Sequence, residues 1–474
     1  MEQWLEPSTW IAGRALGVGL LHFAMASGVT VHVLIHKRDV PAAIGWIGLA
    51  WLSPVVGALL YLGFGINRVK RRARKLKGPQ EEADGLEAEA EFSADPFDRL
   101  EIAVGVITRE EIAQGKVAAI LENGDNAYPQ MLSAIDGARS SIRLSTFIFR
   151  TDDAGELFIA ALARAVQRGV KARVLIDGFG GGFLTSSAYR RLRKQGVPVA
   201  RFLHSILPWK MPFLDLRLHK KCLVVDGRVA FVGGLNIGAE NLHSRQPRKP
   251  VRDCHFQLVG EIVQQIEQQF DDDWSFAMGE APLDFPPPPP NGNVAATARA
   301  IVSGPDQEID PLPLVLLSAI NAARRSIQIA TPYFVPDEQL VTALQLAAMR
   351  GVKTRLALPA ANNHRWVGWA ARAHIRPLLL SGCQVWRSPP PFDHSKLMTI
   401  DGEWSLIGSA NWDTRSFRLN FELCVEFYDR KLANALAGLI DARCVERTTL
   451  EEIDQRPLLV KLRDAAARLT MPYI

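Results

Sequence analysis

HKKCLVVDGRVAFVGGLN, residues 219–236, returns as HSKLMTIDGEWSLIGSAN, residues 394–411. Both copies read His-x-Lys-x4-Asp-x6-Gly-[Gly/Ser]-x-Asn. Every matched position is displaced by the 175 residues that separate His219 from His394. A six-position match at a fixed offset argues for duplication of one structural unit rather than two unrelated histidines.

Each copy opens as a strand, so His219 and Lys221 share a face while Lys220 turns away, and His394 and Lys396 do the same. The Gly-x-Asn segments supply tight turns where backbone approaches a ligand. Gly234, Ser409, Asn236 and Asn411 are therefore candidate anion-binding positions. Two imidazoles and two ammonium groups around one anion suit covalent chemistry on a phosphodiester. One neutral histidine attacks phosphorus, and the other gives a proton to the departing alkoxide and recovers one from the incoming hydroxyl. The lysines offset charge in the five-coordinate transition state.

Asp226 and Asp401 complete the candidate catalytic motif with His219, Lys221, His394 and Lys396. Each lies five residues beyond its lysine, so on an unbroken strand it faces away from the site and reads as structural. Asp253, in VRDCHFQLVG, and Glu422, in LNFELCVEF, are the better candidates to hold the far ring nitrogens of the histidines. His255 and His364 are weaker candidates to line the pocket. No carboxylate cluster suited to a metal is evident, and the chemistry calls for no cofactor.

The duplication extends beyond the motif. SIRLSTFIF (141–149) echoes SIQIATPYF (326–334), and AVQRGVKARVLI (165–176) echoes AAMRGVKTRLAL (347–358). Each half shows an apolar strand, an Ala/Leu-rich helical stretch, Arg-Gly as a C-terminal cap, and another strand. That β-α-β rhythm predicts an α/β fold with parallel strands. The halves are expected at 99–280 and 296–474, joined by a Pro-rich linker at 281–295.

The first 67 residues differ in character. Ala15 to Ile35 and Ala42 to Ile66 hold no Lys, Arg, Asp or Glu, and each is long enough to cross a bilayer. They predict a transmembrane hairpin with spans at 15–35 and 42–66. Ala24-Met25-Ala26 resembles a signal-peptide cleavage site, but Glu2 and Glu6 precede it instead of a basic start, and a second span follows. Seven of the ten residues 68–77 are basic. By the positive-inside rule this run sets the rest of the chain on the cytoplasmic side, and it favours anionic lipid headgroups. An acidic stretch completes the 68–98 linker.

Composition agrees with a folded body carrying a membrane segment: 48% of residues are hydrophobic and 22% charged, with a net charge of +5. That charge is too small for 474 residues to mark a nucleic-acid binder. The five cysteines form no C-x-x-C pair, which argues against zinc or redox chemistry. Residues 457–474 have amphipathic helical spacing. Docking on the body is expected for them, with the membrane surface as the alternative.

The repeated His-x-Lys-x4-Asp motif resembles the phospholipase D superfamily. The N-terminal hairpin with Pro54, Gly57, Tyr61 and Gly65, the Thr331-Pro332-Tyr333-Phe334 segment, and HSKLMTIDGEWSLIGSANWDTRSFRLNFEL look like bacterial cardiolipin synthases of the two-span type. Val251 departs from the aromatic residue expected before Arg252-Asp253. The resemblance implies two pseudo-symmetric phospholipase D-type α/β sandwich halves sharing one active site. It implies that two phosphatidylglycerol molecules give cardiolipin and glycerol, with His219 as nucleophile and His394 as acid and base. A multi-pass protein of the bacterial inner membrane, with phosphatidylglycerol and anionic lipids as partners and a cytoplasmic catalytic body, follows from it. The alternatives are a hydrolase of the same superfamily, releasing phosphatidic acid, and a non-catalytic lipid-binding scaffold.

Overall fold

The computed structural model describes residues 7–37, 40–65, 93–182, 186–204, 216–283, 296–304 and 310–470. Two compact units divide the chain, Met1–Lys75 and Leu76–Ile474.

In the first unit one helix runs Pro7–His36, and its part Gly13–His36 is long and apolar enough to cross a membrane. The second apolar segment is not one helix. It runs Val40–Leu52, breaks at Ser53, resumes at Pro54–Leu60 and ends in a π-helical turn, Tyr61–Gly65. Pro54 explains the break: it lacks an N–H and its ring excludes a helical residue before it. Polar groups within these segments bond one another. Trp51 Nε1 donates to Thr30 Oγ1 at 3.1 Å, and His32 Nδ1 lies 2.7 Å from the Tyr61 hydroxyl. Such internal pairing is what an apolar surrounding demands. The basic run and most of the acidic stretch, residues 66–92, lie outside the described residues, as do residues 284–295 of the Pro-rich join.

The second unit is built from two halves with one strand order. In the first half the strands are β1 Ala113–Glu122, β2 Ser141–Thr146, β3 Lys171–Asp177, β4 Val199–Phe202, β5 Cys222–Val225, β6 Val229–Gly233 and β7 Cys254–Gly260. In the second they are β8 Thr297–Ser303, β9 Ser326–Ala330, β10 Lys353–Pro359, β11 Gln384–Ser388, β12 Leu397–Ile400, β13 Trp404–Gly408 and β14 Asn420–Tyr428. The first sheet runs β1-β7-β6-β5-β2-β3-β4 and the second β8-β14-β13-β12-β9-β10-β11. In both, the last three strands are parallel and the rest antiparallel. The sheets join edge to edge where Ala113 pairs with Ala298.

The parallel strands arise where the β-α-β rhythm placed them. Helices Asp153–Gln167 and Glu338–Met349 connect β2 to β3 and β9 to β10. Both end at Arg-Gly, with Gly169 at φ 89° and Gly351 at φ 91°. That left-handed conformation is open to glycine without a steric penalty.

Strand alternation sorts the cores. Leu223 and Val225 of β5 face the outer helices of the first half. Cys222 and Val224 face the other way, into a core shared by both halves, with Phe256, Phe270, Leu397, Phe421, Leu423 and Leu436. Helices Ile262–Met278 and Arg430–Arg443 fill that shared core. Helix Pro96–Thr108 opens the body but buries Leu100 and Val104 in the outer core of the second half, beside Leu312 and Val315. The halves are thus interlocked beyond the shared core.

The motif aspartates are fold elements. Asp226 and Asp401 occupy the β5–β6 and β12–β13 turns at φ 53° and 56°. The Asp226 carboxylate accepts from the N–H groups of Arg139, Ser140 and Ser141 and from the Ser140 hydroxyl, at 2.7–2.9 Å. Asp401 accepts from the N–H groups of Arg324, Arg325 and Ser326 at 2.7–2.8 Å. Each pins the hairpin that carries a motif to the start of the neighbouring parallel strand. Asp226→Ala and Asp401→Ala are expected to destabilise the protein by about 2 kcal/mol each, because three backbone donors lose a charged acceptor. The measurement is the midpoint of thermal unfolding in detergent, and an unchanged midpoint in both variants refutes the role.

Candidate functional site

The two histidines are delivered by strand exchange between the halves. Arg217–Leu218, just before His219, pairs in parallel with Asn420 and Phe421 at the start of β14. Phe392–Asp393, just before His394, pairs in parallel with Val251–Arg252, just before β7. The His219 N–H then donates to the Phe421 carbonyl at 2.9 Å, and the His394 N–H to the Arg252 carbonyl at 2.7 Å. The next residue along each accepting strand is a carboxylate, Glu422 or Asp253.

Those carboxylates take the ring nitrogens. His219 Nδ1 lies 2.9 Å from both oxygens of Glu422, and His394 Nδ1 lies 2.7 Å from Asp253 Oδ2. An ionised carboxylate only accepts, so both Nδ1 atoms carry the hydrogen and both Nε2 atoms the lone pair, that of His394 with Lys396 Nζ 3.1 Å away. The sequence singled out both carboxylates but not the crossing: each orients the histidine of the other half.

Each lysine donates to the carbonyl of its own motif histidine, Lys221 Nζ at 2.6 Å and Lys396 Nζ at 2.5 Å. Lys396 Nζ also lies 2.7 Å from His394 Nδ1. With the Nδ1 hydrogen directed to Asp253, that contact is one of proximity and the ammonium hydrogen goes to the backbone. His219, Lys221, Lys396, Asp253 and Glu422 are buried, and the His394 side chain is 12% exposed.

The halves differ where the motif reads Gly or Ser. A Cβ on Gly234 would stand 2.2 Å from Asp253 Oδ1, so glycine makes the room for this shorter carboxylate. Ser409 takes the equivalent place in the second half, and its hydroxyl donates to Glu422 Oε2 at 2.5 Å. Asn420 Nδ2 supplies a further donor to Glu422 at 3.1 Å. Asn236 turns its side-chain oxygen to the Ile148 N–H at 3.1 Å, whereas the Asn411 side-chain oxygen is buried without a partner.

Burial dominates the electrostatics. It pulls His219 down to about 4, aided by the charges of Lys221 and Lys396 and opposed by Glu422. It pulls His394 down to about 3, aided by Lys396 and opposed by Asp253. Lys221 falls to about 7, because burial and the Lys396 charge outweigh Glu422 and Asp253. Burial lowers Lys396 too. Burial alone would raise both carboxyls. Lys396 and His394 outweigh it at Asp253, and His219 and Lys221 outweigh it at Glu422, so both lie below the usual carboxylate range. Both imidazoles are therefore neutral at neutral pH, and both carboxylates are ionised.

Asp226 and Asp401, grouped with the catalytic motif on sequence, bond backbone at the hairpin turns and make no hydrogen bond to the histidines or lysines. His255 is buried beside Asp253 with neither ring nitrogen bonded. His364 precedes helix Arg365–Leu380, with its ring 6.0 Å from Tyr333.

Sequence reasoning missed four contributors. Phe147 sits edge-on to His219 at 5.2 Å and beneath Lys221 Nζ at 5.6 Å, while Phe392 and Tyr333 flank His394 at about 6 Å. Asp177, at the end of β3, accepts from the Leu218 N–H at 2.8 Å and so holds the short strand that presents His219. Its signal was available: an acid closing the apolar run ARVLID has no reason to be buried unless it bonds backbone.

A family model described as "Cardiolipin synthase, PLD-like domain" matches residues 131–274 and 316–443, one stretch in each half. The chain is 32% identical to the cardiolipin synthase of Geobacillus kaustophilus, over 98% of this chain and 95% of that protein. It is 32% identical to cardiolipin synthase A of Pseudomonas aeruginosa, over 99% of this chain and 97% of that one. The crystal structure of phosphatidylserine synthase from Haemophilus influenzae superposes with a TM-score of 0.61 at 14% identity, covering 79% of this chain and all of that one, a likeness of fold. Family matches in both halves, and relatives similar along nearly the whole chain, place this protein in the cardiolipin synthase family of PLD-like proteins.

Proposed function

We propose that this protein is a membrane-associated phosphatidyltransferase that converts two phosphatidylglycerol molecules into cardiolipin and glycerol. The observation that carries the reading is the pair of cross-oriented histidines, each with a buried lysine, in a chain similar to cardiolipin synthases along nearly its whole length. The N-terminal unit anchors it as a multi-pass protein of the bacterial inner membrane. The basic run at residues 68–77 sets the catalytic body on the cytoplasmic side.

The reaction runs in two in-line displacements. His219 Nε2 attacks phosphorus of the first phosphatidylglycerol, a P–N bond forms, and the bond from phosphorus to the glycerol headgroup breaks. His394 Nε2 gives its proton to the departing alkoxide, so neutral glycerol leaves. His394 then takes the proton from a glycerol hydroxyl of the second phosphatidylglycerol as that oxygen attacks phosphorus. The P–N bond breaks, cardiolipin leaves, and His219 returns neutral with His394 protonated.

Lys221 and Lys396 stabilise the non-bridging oxygens in both transition states, with Asn236 and Asn411 beside the phosphate, while Gly234 and Ser409 serve the carboxylates Asp253 and Glu422. Asp253 and Glu422 hold the ring tautomers. Both imidazoles start neutral in the free site, and the charge of a bound phosphodiester raises the proton affinity of His394. His219 fits the nucleophile's role, because Glu422 and the Ser409 hydroxyl fix its ring on a fully buried carboxylate.

The deciding assay gives detergent-solubilised protein phosphatidylglycerol alone and resolves the products. Cardiolipin and glycerol in equal amounts are expected. Phosphatidic acid as the sole product would show water as the acceptor, and no turnover would leave only lipid binding.

The roles of the two histidines separate with a leaving group that needs no proton. With phosphatidyl-p-nitrophenol, His394→Ala is expected to release a burst of about one nitrophenol per site, because His219 still attacks. His219→Ala should give no burst. With phosphatidylglycerol both variants should fall by a factor of about 1,000 or more. A burst from His219→Ala and none from His394→Ala would reverse the assignment.

Lys221 sets an alkaline limit. Its protonated form attracts the phosphate, and burial holds it near 7, so charge is lost as pH rises through that value. kcat/KM is expected to fall above neutrality by about tenfold per pH unit. In Lys221→Arg the guanidinium stays charged, and the limb should move beyond about pH 9 at whatever activity remains. An unmoved limb assigns it to another group.

A further inference from the structure

The C-terminal helix Leu458–Thr470 docks on the body with the wrong face for a soluble protein. Its buried side is small or charged. Ala467 is buried with Ala370 of helix Arg365–Leu380 and with Val335. Asp464 is buried and bonds Arg456 and Arg463 at 2.7 Å, with Arg372 at 3.6 Å. The leucines point outward: Leu458 is 70% exposed, Leu459 79%, Leu462 56% and Leu469 73%. Helix packing in water normally does the reverse.

Charge and position say what covers them. Lys461 and Arg468 stand exposed among the leucines, and the one acid of this helix, Asp464, is already buried in ion pairs, Arg463 among them. Helix Arg365–Leu380 holds Arg365, Arg372 and Arg376 and no acid, with Arg372 facing Asp464 and Arg376 paired with Asp454 at 2.7 Å, and near its start Trp366 is 54% exposed. Leucines flanked by cations, with a tryptophan at the margin, match the interface of an anionic bilayer. A second copy of the same surface would set like charges against each other. The patch is also tied to the candidate site. His364, just before helix Arg365–Leu380, stands 6.0 Å from the ring of Tyr333, which flanks His394.

We propose that the outward face of helix Leu458–Thr470, with Trp366, rests in the headgroup region of an anionic bilayer, and that phospholipid enters the site past Tyr333 and His364. The entry route rests on the phosphatidyl-transfer reading; the bilayer contact does not.

The test uses the full chain in nanodiscs containing phosphatidylglycerol. Leu462→Cys carries an environment-sensitive dye, in a Cys444→Ser background because the other four cysteines are buried. Quenching of the dye by lipids spin-labelled near the headgroup is expected, and a dye on exposed Ala160→Cys in the first half should be quenched far less. Phosphatidylcholine alone should weaken the quenching. Absence of quenching at position 462, equal quenching at both positions, or disulfide cross-linking of two copies through Leu462→Cys would overturn the contact. These readouts need no turnover, so they stand apart from failure of the transferase reading. For the entry route, replacing Leu458, Leu459, Leu462 and Leu469 with serine should raise KM for phosphatidylglycerol about tenfold at unchanged kcat. An unchanged KM would overturn it.

Discussion

Everything at the centre of this protein depends on a carboxylate reaching across from the opposite half. Glu422 holds His219 and Asp253 holds His394, and the strands that bring them form backbone pairs on the way. An ionised carboxylate stripped of water costs several kcal/mol unless it is fully bonded. Here each one is bonded, but only when the other half is present. Separating the halves would leave two buried charges and two short strands unpaired. The shared apolar core and helix Pro96–Thr108, which starts the body and packs in the second half, bind the halves in the same sense. One catalytic centre from two repeats is thus a consequence of where charge can be satisfied.

The exchange is symmetric in topology and asymmetric in detail. Aspartate meets glycine on one side, and glutamate meets a serine hydroxyl on the other. The longer Glu422 side chain places both oxygens on His219 Nδ1 and still accepts from Ser409 and Asn420. Asp253 contacts His394 through one oxygen, and its other accepts the Cys254 N–H. The more heavily bonded pair holds its ring more rigidly, which suits a group that must present a lone pair to phosphorus twice. The less encumbered His394, with Lys396 pressed against its ring, suits a group that gains and loses a proton in each cycle.

Much of this was legible in the sequence. Strand alternation put histidine and lysine on one face and the motif aspartates elsewhere, and the structure finds those aspartates capping hairpin turns. The fixed offset announced two units, and both sheets have the same strand order. The crossing of Asp253 and Glu422 was not legible. Spacing within a repeat is identical whether a strand serves its own half or its mate, and only three-dimensional closure decides. Residues 42–66 read as one span, and the break at Pro54 and the π-helical turn after it depend on local backbone bonding that hydropathy does not show. At the C-terminus, amphipathic spacing predicted a helix packed on the body, and the helix docks, but with its leucines outward. The buried Asp464 and its three arginines decide which side faces inward.

Charge balance links the fold to the chemistry. Two lysines face two carboxylates, and both imidazoles are neutral, so the free site carries no net charge from these six groups when Lys221 is protonated. A phosphodiester entering it brings one negative charge into a region from which water is largely removed, where an uncompensated ion is expensive. The most accessible compensation is a proton taken up by an imidazole. His394 is already flanked by a carboxylate that stabilises its cation, and the phosphate adds to that attraction. The proton needed by the leaving alkoxide is therefore recruited by the substrate itself, and it arrives only when there is a bond to break. Low proton affinity in the empty site and a protonated acid in the occupied one are two states of a single electrostatic arrangement.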